Sequence, residues 1–149
     1  MLAAELPELH AQFQDAVSVW VSAAFSKVGW EPREGDGHLG GMLRGLLIRL
    51  LGDFSKDAAV LTEARRRFSA LMADPTDAKI LPADYKTPVF KMVLKNSPTG
   101  GEEEYTQLLA LYEKLDTNVE RKQIFLALGA APSVAVAVSG ALVSRGWWN

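Results

Sequence analysis

The chain is 149 residues long, 48% hydrophobic and 23% charged, with 16 Lys and Arg against 18 Asp and Glu and a net charge of −2. That balance describes one globular domain able to bury a core, and it offers no positive field to draw the chain onto a phosphate backbone, so nucleic acid is not an expected partner. The absence of cysteine removes disulfides, thiolate metal sites and thiol nucleophiles and suits a reducing, cytoplasmic compartment.

The N-terminus, Met1 to His10, carries acids where a secretory signal would carry a basic start and a continuous apolar run, so export is not expected. From about Ala11 to Val28, apolar residues at Phe13, Val17, Trp20, Val21, Ala24 and Phe25 follow the three-and-four spacing of an amphipathic helix ending at Gly29. Trp30 to Gly37 is loop chemistry, rich in Gly, Pro and acid. Next, Leu39, Met42, Leu43, Leu46, Leu47, Ile48, Leu50 and Leu51 make a helix apolar on most of its circumference, expected to be central and to stop at Gly52.

Ser55 or Asp57 can cap the following helix, whose buried stripe is Val60, Leu61, Ala64, Phe68, Leu71 and Met72. Thr87-Pro88 reads as an N-cap followed by proline at the first helical position, opening a short helix to about Lys95. Gly100-Gly101 is a turn, and Glu102, Glu103 and Glu104 fall in a first turn where negative charge complements the helix dipole. Leu108, Leu109, Leu111, Tyr112 and Leu115 form the apolar face of that helix. Asp116 or Thr117 caps another that ends at Gly129, and Pro132 opens a last one. Starts near 87, 102, 117 and 132 recur every ~15 residues, so pairs of helices make hairpins of ~30 residues stacked side by side. Val134 to Val138 alternates like a strand, but its setting between Pro132 and Ser139-Gly140-Ala141-Leu142 favours a helix. The stretch Ile124 to Val143 is uncharged for about 20 positions, the length of a membrane span. Gly129 and Pro132 within it favour two short helices with a bared apolar face instead.

The chemistry-bearing motifs are few. Gly35-Asp36-Gly37-His38-Leu39-Gly40 matches G-x-G-x-x-G, but a proline-bearing loop stands where the dinucleotide motif needs a strand. Gly41 and Gly45 extend a small-residue spacing that lets a neighbouring backbone approach. His10 and His38 lie in different helices and no H-E-x-x-H, G-x-S-x-G or P-loop occurs, so neither metal ligands nor a catalytic set are expected. The acids at 102 to 104 read as a solvated first turn. Arg65-Arg66-Arg67 reads as a solvated surface with Glu63 nearby. Arg44 and Arg49 interrupt an otherwise apolar helix, and a buried arginine must be paired. Asp36 or Asp53 is the expected partner, with a ligand carboxylate as the alternative.

Several segments, taken in order, resemble one family. Val28-Gly29-Trp30-Glu31-Pro32, Glu34-Gly35-Asp36-Gly37-His38-Leu39 and Leu43-Arg44-Gly45-Leu46 look like the C-terminal helical domain of zinc aminopeptidases of the puromycin-sensitive type. Glu63-Ala64-Arg65-Arg66-Arg67-Phe68, Ile80-Leu81-Pro82-Ala83-Asp84, Thr87 to Asn96, Leu109-Ala110-Leu111-Tyr112 and Ala127-Leu128-Gly129-Ala130 agree in order and spacing. The resemblance covers about residues 15–134 and leaves a divergent tail, 135–149.

The resemblance implies an all-α fold of stacked antiparallel helical hairpins, a HEAT-like superhelix that closes over a catalytic domain and encloses the peptide channel. Catalysis in the family belongs to an upstream domain carrying H-E-x-x-H, a distal glutamate ligand and the G-A-M-E-N substrate motif, none of which occurs here. Residues 1–149 are therefore expected to form a single helical domain, part of a larger one, with no catalytic residue and no metal in this chain. Zinc belongs to the full-length enzyme. The expected partners are the parent's catalytic domain and peptide substrates, His38 and Arg44 are the candidate peptide contacts, and a membrane partner is disfavoured. The rival reading is a free-standing helical scaffold that self-associates through residues after Pro132.

Overall fold

A computed structural model describes residues 7–55, 57–77 and 79–131. Among them the structure is all helical: α1 (Pro7–Val28), α2 (Gly37–Phe54), α3 (Ala58–Ala73), α4 (Ala83–Lys95), α5 (Glu102–Lys114) and α6 (Asn118–Leu128). The helices pair as hairpins. Phe13 of α1 meets Phe54 of α2 edge to face, with ring centroids 6.0 Å apart, while Arg44 reaches the Val28 carbonyl at the other end. In the second hairpin Phe68 of α3 meets Phe90 of α4, and in the third the Arg121 guanidinium of α6 lies 5.5 Å from the Tyr112 ring of α5.

Successive hairpins stack through their second helices. Along α2 and α4, Gly45 meets Asp84, Gly52 meets Met92, and Asp53 pairs with Lys95 at 2.7 Å. Between α4 and α6, Lys86 pairs with Glu120 at 2.7 Å and the Gln123 amide donates to the Ala83 carbonyl at 3.0 Å. The uncharged run ending at Val143, the Val134 to Val138 segment and the helix opened by Pro132 lie largely or wholly outside the described residues.

The local signals set most boundaries. Asp57 is the cap of α3, its Oδ1 accepting from the Ala59 N–H at 2.8 Å and the Val60 N–H at 3.4 Å. Gly100 (φ +81°) and Gly101 (φ +85°) make the left-handed turn before the three glutamates of α5, a conformation that costs glycine little. Thr117 precedes α6 without capping it and instead donates to Glu120 at 2.7 Å.

Three expectations are corrected. The central helix is α4, which packs against α2, α3, α5 and α6 and buries Tyr85, Val89, Phe90, Met92, Val93 and Leu94. The richly apolar α2 buries one side and leaves Leu39, Met42, Leu43 and Leu46 exposed. Gly52 does not stop α2. It lies inside the helix, where a Cβ would meet the Met92 side chain at 3.2 Å. Finally, α4 begins at Ala83, so Thr87 is interior and donates to the Gln123 carbonyl of α6 at 3.4 Å.

Pro88 therefore sits inside α4 and leaves the Asp84 carbonyl without its helical N–H. Tertiary packing absorbs that cost. Gly45 brings α2 so close that a Cβ there would stand 2.5 Å from the Asp84 oxygen, and one on Gly41 would stand 2.8 Å from its carboxylate. The small-residue spacing of α2 is thus a close helix contact, as its sequence suggests.

Candidate functional site

The loop that joins α1 to α2 is the segment in which the predicted contacts, the family-like residues and the buried charges converge. It runs from Gly29 to Asp36 and reverses the chain through Gly29 (φ +67°) and Gly35 (φ +89°), values that residues with a Cβ rarely adopt.

One end of the loop is held by Arg44. This side chain is 1% exposed and pairs through Nη2 with Asp36, while also reaching the Val28 carbonyl at 3.5 Å. Asp36 accepts the Arg33 backbone N–H at 2.6 Å as well. That N–H and, next, the Arg44 guanidinium hold its carboxyl below the usual range. Arg44 Nε and Nη1 are enclosed without a protein partner. The structural pairing expected for a buried Arg44 is therefore with Asp36. Arg49 is exposed and Asp53 pairs with Lys95 instead.

Arg67 holds the middle of the loop, contrary to the solvated reading of the arginine run. It is 4% exposed. Its Nε donates to Glu63 at 2.7 Å, Nη1 to the Ile80 carbonyl at 3.2 Å, and Nη2 pairs with Glu31. The guanidinium also lies 5.1 Å from the Trp30 ring centroid, a cation–π distance. Trp30 in turn meets Phe25 edge to face at 5.5 Å. The solvated reading does hold for Arg66, which lies outside and grips Glu63 through two bonds of 2.7 Å. Arg66 first, then Arg67, lowers the Glu63 carboxyl to about 2. The missed signal is phase: Arg67 falls with Ala64, Phe68 and Leu71 on the buried stripe of α3, one turn after Glu63.

Tyr85, buried in α4, completes the cluster. Burial raises its hydroxyl pKa and the nearby Arg44 charge partly offsets that. His38 is exposed in the first turn of α2, and no recorded hydrogen bond or ion pair joins it to Arg44. What these groups do chemically is fasten. The two enclosed guanidiniums pair with Asp36 and Glu31 of the loop.

Among the described residues no three His, Cys, Asp or Glu side chains stand together as a metal site. The Gly35 to Gly40 run follows a helix and a loop, not a strand, so the dinucleotide geometry is missing. Glu102 and Glu103 are exposed. No described helix is long and apolar enough to cross a membrane.

Comparison with known proteins places this arrangement in a family. The sequence model of the ERAP1-like C-terminal domain matches residues 1–138. Aminopeptidase M1 of Arabidopsis thaliana is 33% identical over 113 residues, covering 76% of this chain and 13% of the relative. Aminopeptidase M1-A of Oryza sativa subsp. japonica is 26% identical over 132 residues, covering 89% and 15%. Aminopeptidase M1-B of the same rice is 29% identical over 124 residues, covering 83% and 14%. No solved structure gives a significant match. The chain thus spans between an eighth and a sixth of the length of these relatives, and with a family match over almost all of its residues it belongs to the ERAP1-like C-terminal domain family.

Proposed function

We propose that this chain is the non-catalytic, peptide-enclosing part of a zinc aminopeptidase, a HEAT-like lid that packs against a catalytic domain supplied by the rest of the parent protein. The observation that carries this reading is the family match over residues 1–138, joined to relatives named as aminopeptidases. The family resemblance implies that the metal and the cleavage chemistry lie elsewhere in the parent. This chain's contribution is shape: the 29–36 loop is fixed to the helical body by Arg44 and Arg67 and presents His38 at its edge.

His38 is the candidate open to a peptide. Arg44 is enclosed, so its part would pass through Asp36 and the loop that Asp36 anchors. A cysteine-free composition suits a cytoplasmic setting. The second reading is a free-standing helical scaffold that self-associates through its apolar face after Pro132, a segment outside the described residues.

The deciding experiment uses an antibody against this segment on the native source. A protein several times larger than 16.2 kDa, precipitating with chelator-sensitive release of N-terminal residues, is the expected result. A band near 16.2 kDa without activity would defeat the lid reading and leave the scaffold.

A further inference from the structure

The glycines of the Gly35 to Gly40 run lie beside an arginine whose donors are only partly used. Arg44 leans back along α2 toward its N-terminus, as helical side chains do, and Nη2 alone meets both Asp36 and, at 3.5 Å, the Val28 carbonyl. Nε and Nη1 are enclosed and find no protein partner, which is costly for a side chain that is 1% exposed. Asp36 offers it one oxygen, Oδ2, and shares that oxygen with the Arg33 N–H. Arg66 and Glu63 show a fuller pairing in the same chain, two bonds of 2.7 Å. Nη1 of Arg44 lies alongside the first turn of α2, 3.5 Å from where a Cβ on Gly40 would stand. That turn is uncapped: Asp36 makes no side-chain bond to its N–H groups, which favour negative charge. Enclosed arginine donors and an open helix start therefore converge on one place.

We propose that this place binds a carboxylate and that Asp36 is its resident occupant. A ligand carboxylate takes the Arg44 fork with two bonds while Asp36 turns out to water. The exchange swaps one negative charge for another, so the guanidinium is never left buried and unpaired. Asp36 is placed to make that turn. It is 28% exposed and stands between Gly35 (φ +89°) and Gly37 (φ +59°), at both of which a Cβ would meet nothing within 4 Å. The peptide units on either side are therefore free to rotate, while Trp30 and Glu31 stay on Arg67. A flat, forked guanidinium selects a carboxylate over a spherical anion. A free small acid and the C-terminal carboxylate of a peptide present the same group, and only the second rests on the lid reading.

Chemical rescue of the full 149-residue chain tests the site. Asp36→Ala empties it and is expected to lower the urea midpoint. Sodium formate should then restore about half of the loss or more, as a ligand bound to the folded state does, and sodium chloride at equal ionic strength should restore none. Adding Arg44→Met to Asp36→Ala should abolish the rescue. The wild-type chain supplies a reading that needs no variant to fold: formate should speed amide exchange at residues 34–37 and leave 29–32 protected. An N-acetylated tripeptide with a free C-terminus, set against its amide, separates the two sources. Binding at least about tenfold tighter to Asp36→Ala than to the wild type, and lost in the amide, identifies a peptide terminus, because the competing Asp36 is gone. Rescue by formate without peptide binding supports the site, identifies a free acid and counts against the lid reading alone. Equal rescue by chloride, rescue that survives the loss of Arg44, or wild-type exchange that ignores formate would overturn the proposal.

Discussion

The carbonyl oxygen of Asp84 occupies the space that a side chain on Gly45 would need. A Cβ at that position would lie 2.5 Å from the oxygen and 3.2 Å from its carbon. The obstacle is backbone, so it cannot swing aside as a flexible side chain would. Gly45→Ala gains about 1 kcal/mol of helix propensity but forces α2 off α4, an overpacking cost of about 1–3 kcal/mol or more. With the obstacle being backbone, we expect a net loss of about 1–2 kcal/mol, read as a lower urea midpoint with unchanged slope. Gly35→Ala, in open space but at φ +89°, is expected to cost about 1 kcal/mol through backbone strain alone.

Arg67 connects three segments, so its loss is expected to be felt in all of them. Arg67→Met keeps much of the stem packing but removes the bonds to Glu63 and the Ile80 carbonyl and the contact with Trp30. Glu31 is 73% exposed and returns to water cheaply, and Glu63 keeps Arg66, so the cost falls below the 3–5 kcal/mol typical of a broken buried pair. About 2–3 kcal/mol is expected. Arg67→Lys should not restore it, because an ammonium cannot serve three directions in one plane or stack as well on Trp30. Faster amide exchange confined to residues 29–36 would locate the damage, whereas uniform exchange would mean that Arg67 does not hold the loop.

Helix identity was legible in the sequence because apolar periodicity and glycine turns are local properties, and all six described helices follow them. The pairing of Arg44 with Asp36 was legible too, since an arginine surrounded by leucines has to find an acid nearby. What failed was whatever depends on neighbours. Thr87-Pro88 carries a sound local signal for a helix start, yet α4 begins four residues earlier because α2 closes on the Asp84 carbonyl and α6 takes the Thr87 hydroxyl. The leucine content of α2 suggested a central helix, yet four of its large apolar side chains face outward, since composition does not reveal how many neighbours a helix has. Arg67 was hidden by the two arginines before it, although its phase with Phe68 was visible.

Acid should loosen the site in a defined direction. The Asp36 and Glu63 carboxyls both have pKa values lowered in the fold, Glu63 from 4.5 to about 2. The unfolded chain therefore takes up protons first as pH falls. The stability these groups contribute is complete above about pH 5 and is lost progressively as pH falls toward 2. Asp74 and Glu120 shift in the same direction, so Glu63 accounts for only a share. With its side chain a quarter exposed, that share is about 1–2 kcal/mol after solvent screening. Unfolding free energy measured from pH 7 to pH 2 should fall less steeply below pH 5 in Glu63→Gln. An unchanged slope would remove Glu63 from the acid response.

Asp36 and Arg44 should behave as one unit. Asp36→Asn leaves an enclosed guanidinium, already with Nε and Nη1 unpartnered, facing a neutral amide. A clear loss of stability is expected, chiefly the cost of leaving the enclosed Arg44 charge uncompensated. Arg44→Met removes the charge and frees Asp36, which is 28% exposed, to hydrate, so it should cost less. The double variant is expected to be no worse than Asp36→Asn alone, a coupling of about 1–3 kcal/mol by double-mutant cycle. Strict additivity would mean that the pair does not interact in solution. The same four proteins separate fastening from peptide contact. If Arg44 serves only to hold the loop, peptide affinity should follow loop protection across the set. Loss of affinity in Arg44→Met with full protection of residues 29–36 would instead show direct contact.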